Sequence, residues 1–126
     1  MSTKALLIVT ALIEAGTGAM LLAAPSLMAN VLLGDELTTS QSLVVARIAG
    51  LALISISIGC WLVRNGDRHA QAGQVAAIMI YNLAVPIVLM HAWIAWSVEG
   101  PGLWPASILH AGLAIWCLVC LWRLSP

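Results

Sequence analysis

The chain has 126 residues, of which 62% are hydrophobic and only 8% are charged, and its formal net charge is zero. A soluble domain carries roughly 25% charged residues, so this composition excludes a water-soluble globular protein. The balanced charge gives no reason to expect a nucleic-acid partner. The length predicts a single transmembrane domain over residues 1–126.

The first predicted element, at about residues 4–24, is nearly unbroken apolar sequence that is long enough to cross a bilayer as a helix. Pro25 marks its end. Its length, its acidic residue and the lack of a convincing cleavage site predict a mature helix, not a signal peptide. That residue, Glu14, would sit near mid-bilayer, where a charge costs at least ~2.5–3.5 kcal/mol. We therefore expect Glu14 to face the protein interior and to have a partner.

The remaining elements follow from the apolar stretches and the turns between them. Residues 26–33 are apolar but too short to span a membrane, which predicts a short interfacial or re-entrant segment. Three further spanning helices are predicted at about 41–63, 71–98 and 103–124, with Pro86 as a kink inside the third span. Because the connections are short, the simplest all-α arrangement is an integral membrane antiparallel four-transmembrane-helix bundle.

Basic and acidic residues fall in different connections of this topology. Those at the termini and in the turn between the second and third spans are Lys4, Arg64, Arg68 and Arg123. Those in the other two connections are Asp35, Glu36 and Glu99. The positive-inside rule then predicts a multi-pass membrane protein with both termini cytoplasmic. The expected location, the bacterial inner (cytoplasmic) membrane, rests on the resemblance described below.

Polar residues inside the spans define a candidate site. The helical rise places Arg47, His91 and His110 at roughly 9 Å from the outer ends of their spans, and Glu14 at roughly 15 Å. A buried acid close to a guanidinium is the expected way to neutralise both charges. The sequence therefore predicts a Glu14–Arg47 ion pair in a polar cavity that opens outward, although this pair could also serve only to fix the helices.

The third span brings two further polar residues to this region. Helical phase places Tyr81 and His91 on one face, directed at the level of Arg47, and places Asn82 on another face, where it would bridge to a neighbouring helix. Both Tyr81 and Asn82 could act simply as hydrogen bonds between helices. The two histidines, His91 and His110, could each bond a hydroxyl or carbonyl group.

The main expectation is that the protein binds no cofactor, but the sequence offers two possible cofactor sites. His91 and His110, at equal predicted depth on sequential helices, could hold a b-type haem or a metal ion. A soft-metal or redox site could form from Cys117 and Cys120, which make a C-x-x-C, with Cys60 at similar depth. On a continuous apolar helix, however, cysteines at this spacing are usually small packing residues.

The stretch 11–17, Ala-Leu-Ile-Glu-Ala-Gly-Thr, resembles the first helix of the small multidrug resistance transporters, which are four-helix proteins of similar size. The resemblance implies a homodimer in which Glu14 binds protons and cationic drugs and exchanges one for the other. The rest of the chain, with Arg-x-x-Gly in the second span, is similar to small bacterial four-helix inner-membrane proteins.

Three classes of function follow from these features. The first is a membrane protein whose cavity, lined by Glu14, Arg47, Tyr81, His91 and His110, binds or passes a small amphiphilic or acidic ligand. The second is an intramembrane enzyme acting on a lipid or isoprenoid with Glu14 as general acid or base. The third is a structural subunit of a larger membrane complex. Membrane lipid is the expected partner in every case, and a homo-oligomer is an open alternative.

Overall fold

The computed structural model describes residues 2–124, and in that range it contains five α-helices and no strand. They are α1 (Thr3–Ala23), α2 (Pro25–Leu33), α3 (Ser40–Val63), α4 (Arg68–Trp96) and α5 (Leu103–Leu124). All of them except α2 are long and apolar enough to cross a membrane. The predicted all-helical fold with four candidate membrane spans is therefore confirmed.

The bounds of α4 differ most from the sequence prediction. The helix begins three residues earlier, at Arg68, because the Asp67 side chain accepts a hydrogen bond from the Ala70 amide and caps the first turn. It ends two residues earlier, at Trp96, because Ser97 adopts a left-handed conformation with φ of 53°. Both differences arise from local capping, which hydropathy alone does not reveal.

The short segment after α1 is the helix α2, and it packs against the loop that precedes α5. Gly34 ends α2 with φ of 81°, a conformation that favours glycine. The Gly102 amide donates a hydrogen bond of 2.7 Å to the carbonyl of Val31. A Cβ atom at Gly100 would clash with the Leu32 carbonyl group. The connection from α1 to α3 and the loop from α4 to α5 therefore lie at the same end of the molecule.

Helices α1 and α3 form the first of two closely packed pairs. A Cβ atom added at Gly18 would come within 2.7 Å of the Gly50 carbonyl oxygen, so the two backbones are nearly in contact. Seven residues away on each helix, the Ser57 hydroxyl donates to the Ala11 carbonyl at 2.7 Å. Residues later in α1 therefore lie beside residues earlier in α3.

Helices α4 and α5 form the second pair. At one end the Arg68 guanidinium donates to the carbonyl of Arg123 at 3.3 Å, and at the other the rings of Trp93 and Trp104 meet edge to face with centroids 5.4 Å apart. The two pairs approach each other less closely than the helices within each pair. The space between the pairs is filled by side chains, and this is where the polar groups of interest lie.

The apolar side chains divide between a small core and a large outer surface. The core cluster includes Leu6, Leu7, Val75 and Ile78, and all of these are almost completely buried. At most a third of each spanning segment is buried inside the protein. Large apolar side chains such as Trp122 remain exposed instead. A surface of this kind is suited to contact with membrane lipid.

Candidate functional site

Polar side chains are buried on all four spanning helices. They are Thr10 and Glu14 on α1, Ser57 on α3, Asn82 on α4, and Ser107 and His110 on α5. Two of them donate to backbone carbonyls, because Ser57 of α3 bonds to Ala11 of α1 and Ser107 bonds to Leu103 in its own helix. The others form the candidate site.

Glu14 is 1% exposed and belongs to the face of α1 that carries its other buried residues. The Tyr81 hydroxyl of α4 lies close enough to the Glu14 carboxylate to interact with it, and this contact crosses from one helix pair to the other. The second carboxylate oxygen, Oε1, has no hydrogen-bond partner. Since buried polar groups are normally satisfied, this carboxylate oxygen is left with unmet hydrogen-bonding capacity.

Thr10 lies one turn before Glu14 on the same face of α1 and is completely buried. Its hydroxyl oxygen also lacks a hydrogen-bond partner, as does the indole nitrogen of Trp116 on α5. Neither residue was predicted as part of the site. The four-residue spacing of Thr10 and Glu14 already places the threonine on the same polar stripe of the first span.

His110 links Tyr81 to Asn82. The rings of Tyr81 and His110 meet edge to face with centroids 5.4 Å apart. The His110 Nδ1 atom lies 2.7 Å from Oδ1 of Asn82, whose Nδ2 atom donates to the carbonyl of Ile78 at 2.8 Å. That second bond fixes the amide orientation, because a carbonyl only accepts. His110 Nδ1 is then the donor, and a neutral ring keeps Nε2 as an acceptor. Asn82 thus bridges two helices, as its phase predicted.

Pro86 lies four residues after Asn82, so it has no amide to donate to the Asn82 carbonyl. The helix nevertheless continues through the proline as far as Trp96. The backbone of α4 is therefore missing one hydrogen bond at the residue whose side chain holds His110. This places a local weakness of the helix next to the polar cluster.

Arg47 does not pair with Glu14, and this prediction was wrong. Arg47 is exposed, and no ion pair joins it to Glu14 within residues 2–124. The contact of Gly18 with Gly50 explains why, because it places Glu14 level with Ile54, which is seven residues from Arg47 along α3. Seven residues correspond to about 10 Å, or two turns, which is more than the one turn estimated from depth alone.

His91 is also absent from the cluster. It is exposed near the end of α4, where its ring meets Trp96 edge to face at 5.3 Å. It lies nine residues from Asn82, the partner of His110, which corresponds to about 13 Å along the helix. The two histidines therefore do not reach one level, and the residues do not fit the haem arrangement considered from the sequence.

The three cysteines are buried and free. Cys60, Cys117 and Cys120 all belong to the apolar core cluster, and Cys60 accepts a contact of 3.4 Å from the Gln74 side-chain nitrogen. Among the residues described, no group of three or more histidine, cysteine or acidic side chains is arranged to hold a metal ion. The environment of these cysteines is that of small packing residues.

No family model, no curated protein and no solved structure matches this chain.

Proposed function

We propose that this chain is a multi-pass protein of the bacterial inner membrane, an antiparallel bundle of four spans with both termini in the cytoplasm. The end of the bundle opposite α2 carries the basic residues Lys4, Arg64, Arg68 and Arg123. The end that contains α2 carries Asp35, Glu36 and Glu99. This separation supports the orientation, because cytoplasmic ends of membrane helices are enriched in lysine and arginine.

We propose that Glu14, within this bundle, alternately binds a small amphiphilic cation and a proton. The observation that carries the proposal is the burial of Glu14 with one carboxylate oxygen unpartnered and, within residues 2–124, without an ion pair to the exposed Arg47. An ionised carboxylate in this environment requires a compensating positive charge. A bound cation or a bound proton would supply it.

The position of Arg47 changes the expected class of ligand. An acidic ligand was expected because an arginine was predicted to line the site, but Arg47 lies on the outer surface of α3. The interior then carries the charge of Glu14 without a fixed counter-charge, which favours a cation. The resemblance of the first helix to the small multidrug resistance transporters implies the same role for Glu14.

Tyr81, His110 and Asn82 would orient the ligand and the carboxylate. Tyr81 can donate to Glu14 or accept from a ligand, and His110 supports the tyrosine ring from the side. The seam between the two helix pairs is the proposed route of entry. It is supported by the wider spacing of the pairs and by the contact between Glu14 and Tyr81 that crosses it.

A titration with tetraphenylphosphonium in weakly buffered detergent solution tests this function. Wild-type protein should release about one proton per bound cation, because both compete for a single carboxylate. Glu14→Gln should abolish proton release and weaken binding about tenfold or more, since the amide carries no charge. The matched control is Arg47→Gln, which also replaces a charged residue of a span with glutamine and should behave like the wild type.

Unchanged cation binding by Glu14→Gln would overturn the proposal. If that variant also showed a lower free energy of unfolding, the carboxylate would have a structural role, as in a subunit whose polar groups only fix the bundle. Cation binding without proton release in the wild type would limit the function to binding and would exclude exchange.

A further inference from the structure

A second feature lies on the outer side of the first helix pair. A cleft of about 330 Å³ runs between α1 and α3 and opens to the surface. Its walls include Ala11, Leu12 and Ala15 on α1 and Ile58, Trp61 and Leu62 on α3. Ser57 also contributes, but its hydroxyl is already bonded to the Ala11 carbonyl. The lining therefore offers an apolar groove with almost no free polar group.

Two basic residues flank the end of this cleft that lies at the basic end of the bundle. Ala11 lies beside Ser57, and seven residues further along each helix are Lys4 and Arg64. Lys4 and Arg64 are therefore level with each other. Lys4 follows the same stripe of α1 as Ala11, since seven residues are close to two full turns.

Arg64 is held close to the cleft by Trp61. Its guanidinium lies 3.9 Å from the centroid of the Trp61 ring and donates to the Trp61 carbonyl. Because Trp61 itself lines the cleft, Arg64 is fixed next to the apolar groove. Lys4 is exposed on the neighbouring helix. The two residues place two positive charges at one end of an apolar channel.

The length of this arrangement matches one leaflet of a bilayer. From Lys4 to Ala15 there are eleven residues, which correspond to about 16 Å along α1. Half of a typical hydrocarbon core is about 15 Å. A lipid whose headgroup is at the level of Lys4 would therefore have its acyl chain beside the whole length of the cleft.

We propose that the α1/α3 cleft binds a phospholipid with an anionic headgroup from the leaflet at the basic end of the bundle. One acyl chain occupies the cleft, and the phosphate lies between the Lys4 ammonium and the Arg64 guanidinium. Both groups form charge-assisted hydrogen bonds with phosphate oxygens. An anionic lipid such as phosphatidylglycerol carries a negative phosphate and no cationic group, whereas the choline of a zwitterionic lipid would be repelled by the second basic residue. This site is separate from Glu14, and it does not depend on the proposed cation binding.

Native mass spectrometry provides the test. Protein is exchanged into detergent with equimolar palmitoyl-oleoyl phosphatidylglycerol and palmitoyl-oleoyl phosphatidylcholine. Wild-type protein should retain phosphatidylglycerol preferentially, and the Lys4→Gln/Arg64→Gln variant should lose this preference by about fivefold or more. Ala15→Leu, which fills the cleft, should reduce retention of both lipids. Arg47→Gln removes a basic residue outside the cleft and should leave the preference unchanged.

Equal retention of the two lipids by the wild type would overturn the proposal without the need for any variant. The proposal would also fail if Arg47→Gln reduced the preference for phosphatidylglycerol as much as the double variant, because binding would then follow net charge alone. The same spectra report the oligomeric state. If Ala15→Leu separated a dimer without changing the bound lipid, a second copy of the chain would occupy the cleft instead. Circular dichroism checks that each variant is folded.

Discussion

Where α1 meets α3, backbone packs on backbone, whereas side chains hold α4 and α5 together. The first interface has Gly18 against Gly50, with no space for a side chain between them. The second has the Asn82–His110 hydrogen bond and the Trp93–Trp104 ring contact. The close interface fixes the register of the acid-bearing helix, and the side-chain interface presents hydrogen-bonding groups to that acid. The proposed site therefore lies between the pairs, where Glu14 of the first pair faces Tyr81 of the second.

The glycine contact is the feature whose loss should have the largest effect. In Gly18→Ala the new Cβ atom would lie 2.7 Å from the Gly50 carbonyl oxygen and 2.8 Å from the Ile54 side chain, so α1 and α3 must separate. We expect a loss of about 1–3 kcal/mol in the free energy of unfolding. Unfolding in mixed micelles, followed by tryptophan fluorescence, measures this change.

Gly16→Ala is the matched control on the same helix. A Cβ atom there meets no atom within 4 Å, so the better helix propensity of alanine should leave the protein unchanged or more stable by up to about 1 kcal/mol. Equal effects of the two substitutions would show that α1 and α3 are not in close contact at Gly18.

Composition and hydropathy were sufficient to predict the spans, because each spanning segment is a long apolar run that ends in polar residues or proline. The helical phase of Asn82 also predicted its bridge to another helix. The relative height of two helices was not predictable, since it depends on which small residues meet, and Gly18 with Gly50 decides it here. For this reason Glu14 and Arg47 were predicted one turn apart and lie about two turns apart.

Loss of the Asn82–His110 hydrogen bond should have a smaller effect on stability, and the effects of substituting its two residues should be coupled. Asn82→Leu leaves Nδ1 of His110 without its acceptor, and His110→Leu leaves Oδ1 of Asn82 without its donor. Each should lower the free energy of unfolding by about 1–2 kcal/mol, because the remaining buried group is unsatisfied. The double variant should lose less than the two single losses together. A double-mutant cycle in mixed micelles measures the coupling.

Ser107→Ala serves as the control for this cycle. The Ser107 hydroxyl bonds to the Leu103 carbonyl one turn earlier in α5, so its removal should cost less than about 0.5 kcal/mol and should not couple to Asn82. Strict additivity of Asn82→Leu and His110→Leu would contradict the direct bond between these residues.

The smallest effect is expected at the residue that the sequence placed at the centre of the site. Arg47→Gln should change the free energy of unfolding by no more than about 0.5 kcal/mol, because the guanidinium is exposed and has no ion pair with Glu14. Breaking a buried pair would instead cost about 3–5 kcal/mol, since Glu14 would be left uncompensated. The same unfolding measurement decides between these values. Arg47→Gln could instead cause a large loss of the free energy of unfolding that disappears in the Glu14→Gln background. That result would show that Glu14 and Arg47 form an ion pair, and Glu14 would then need no bound cation.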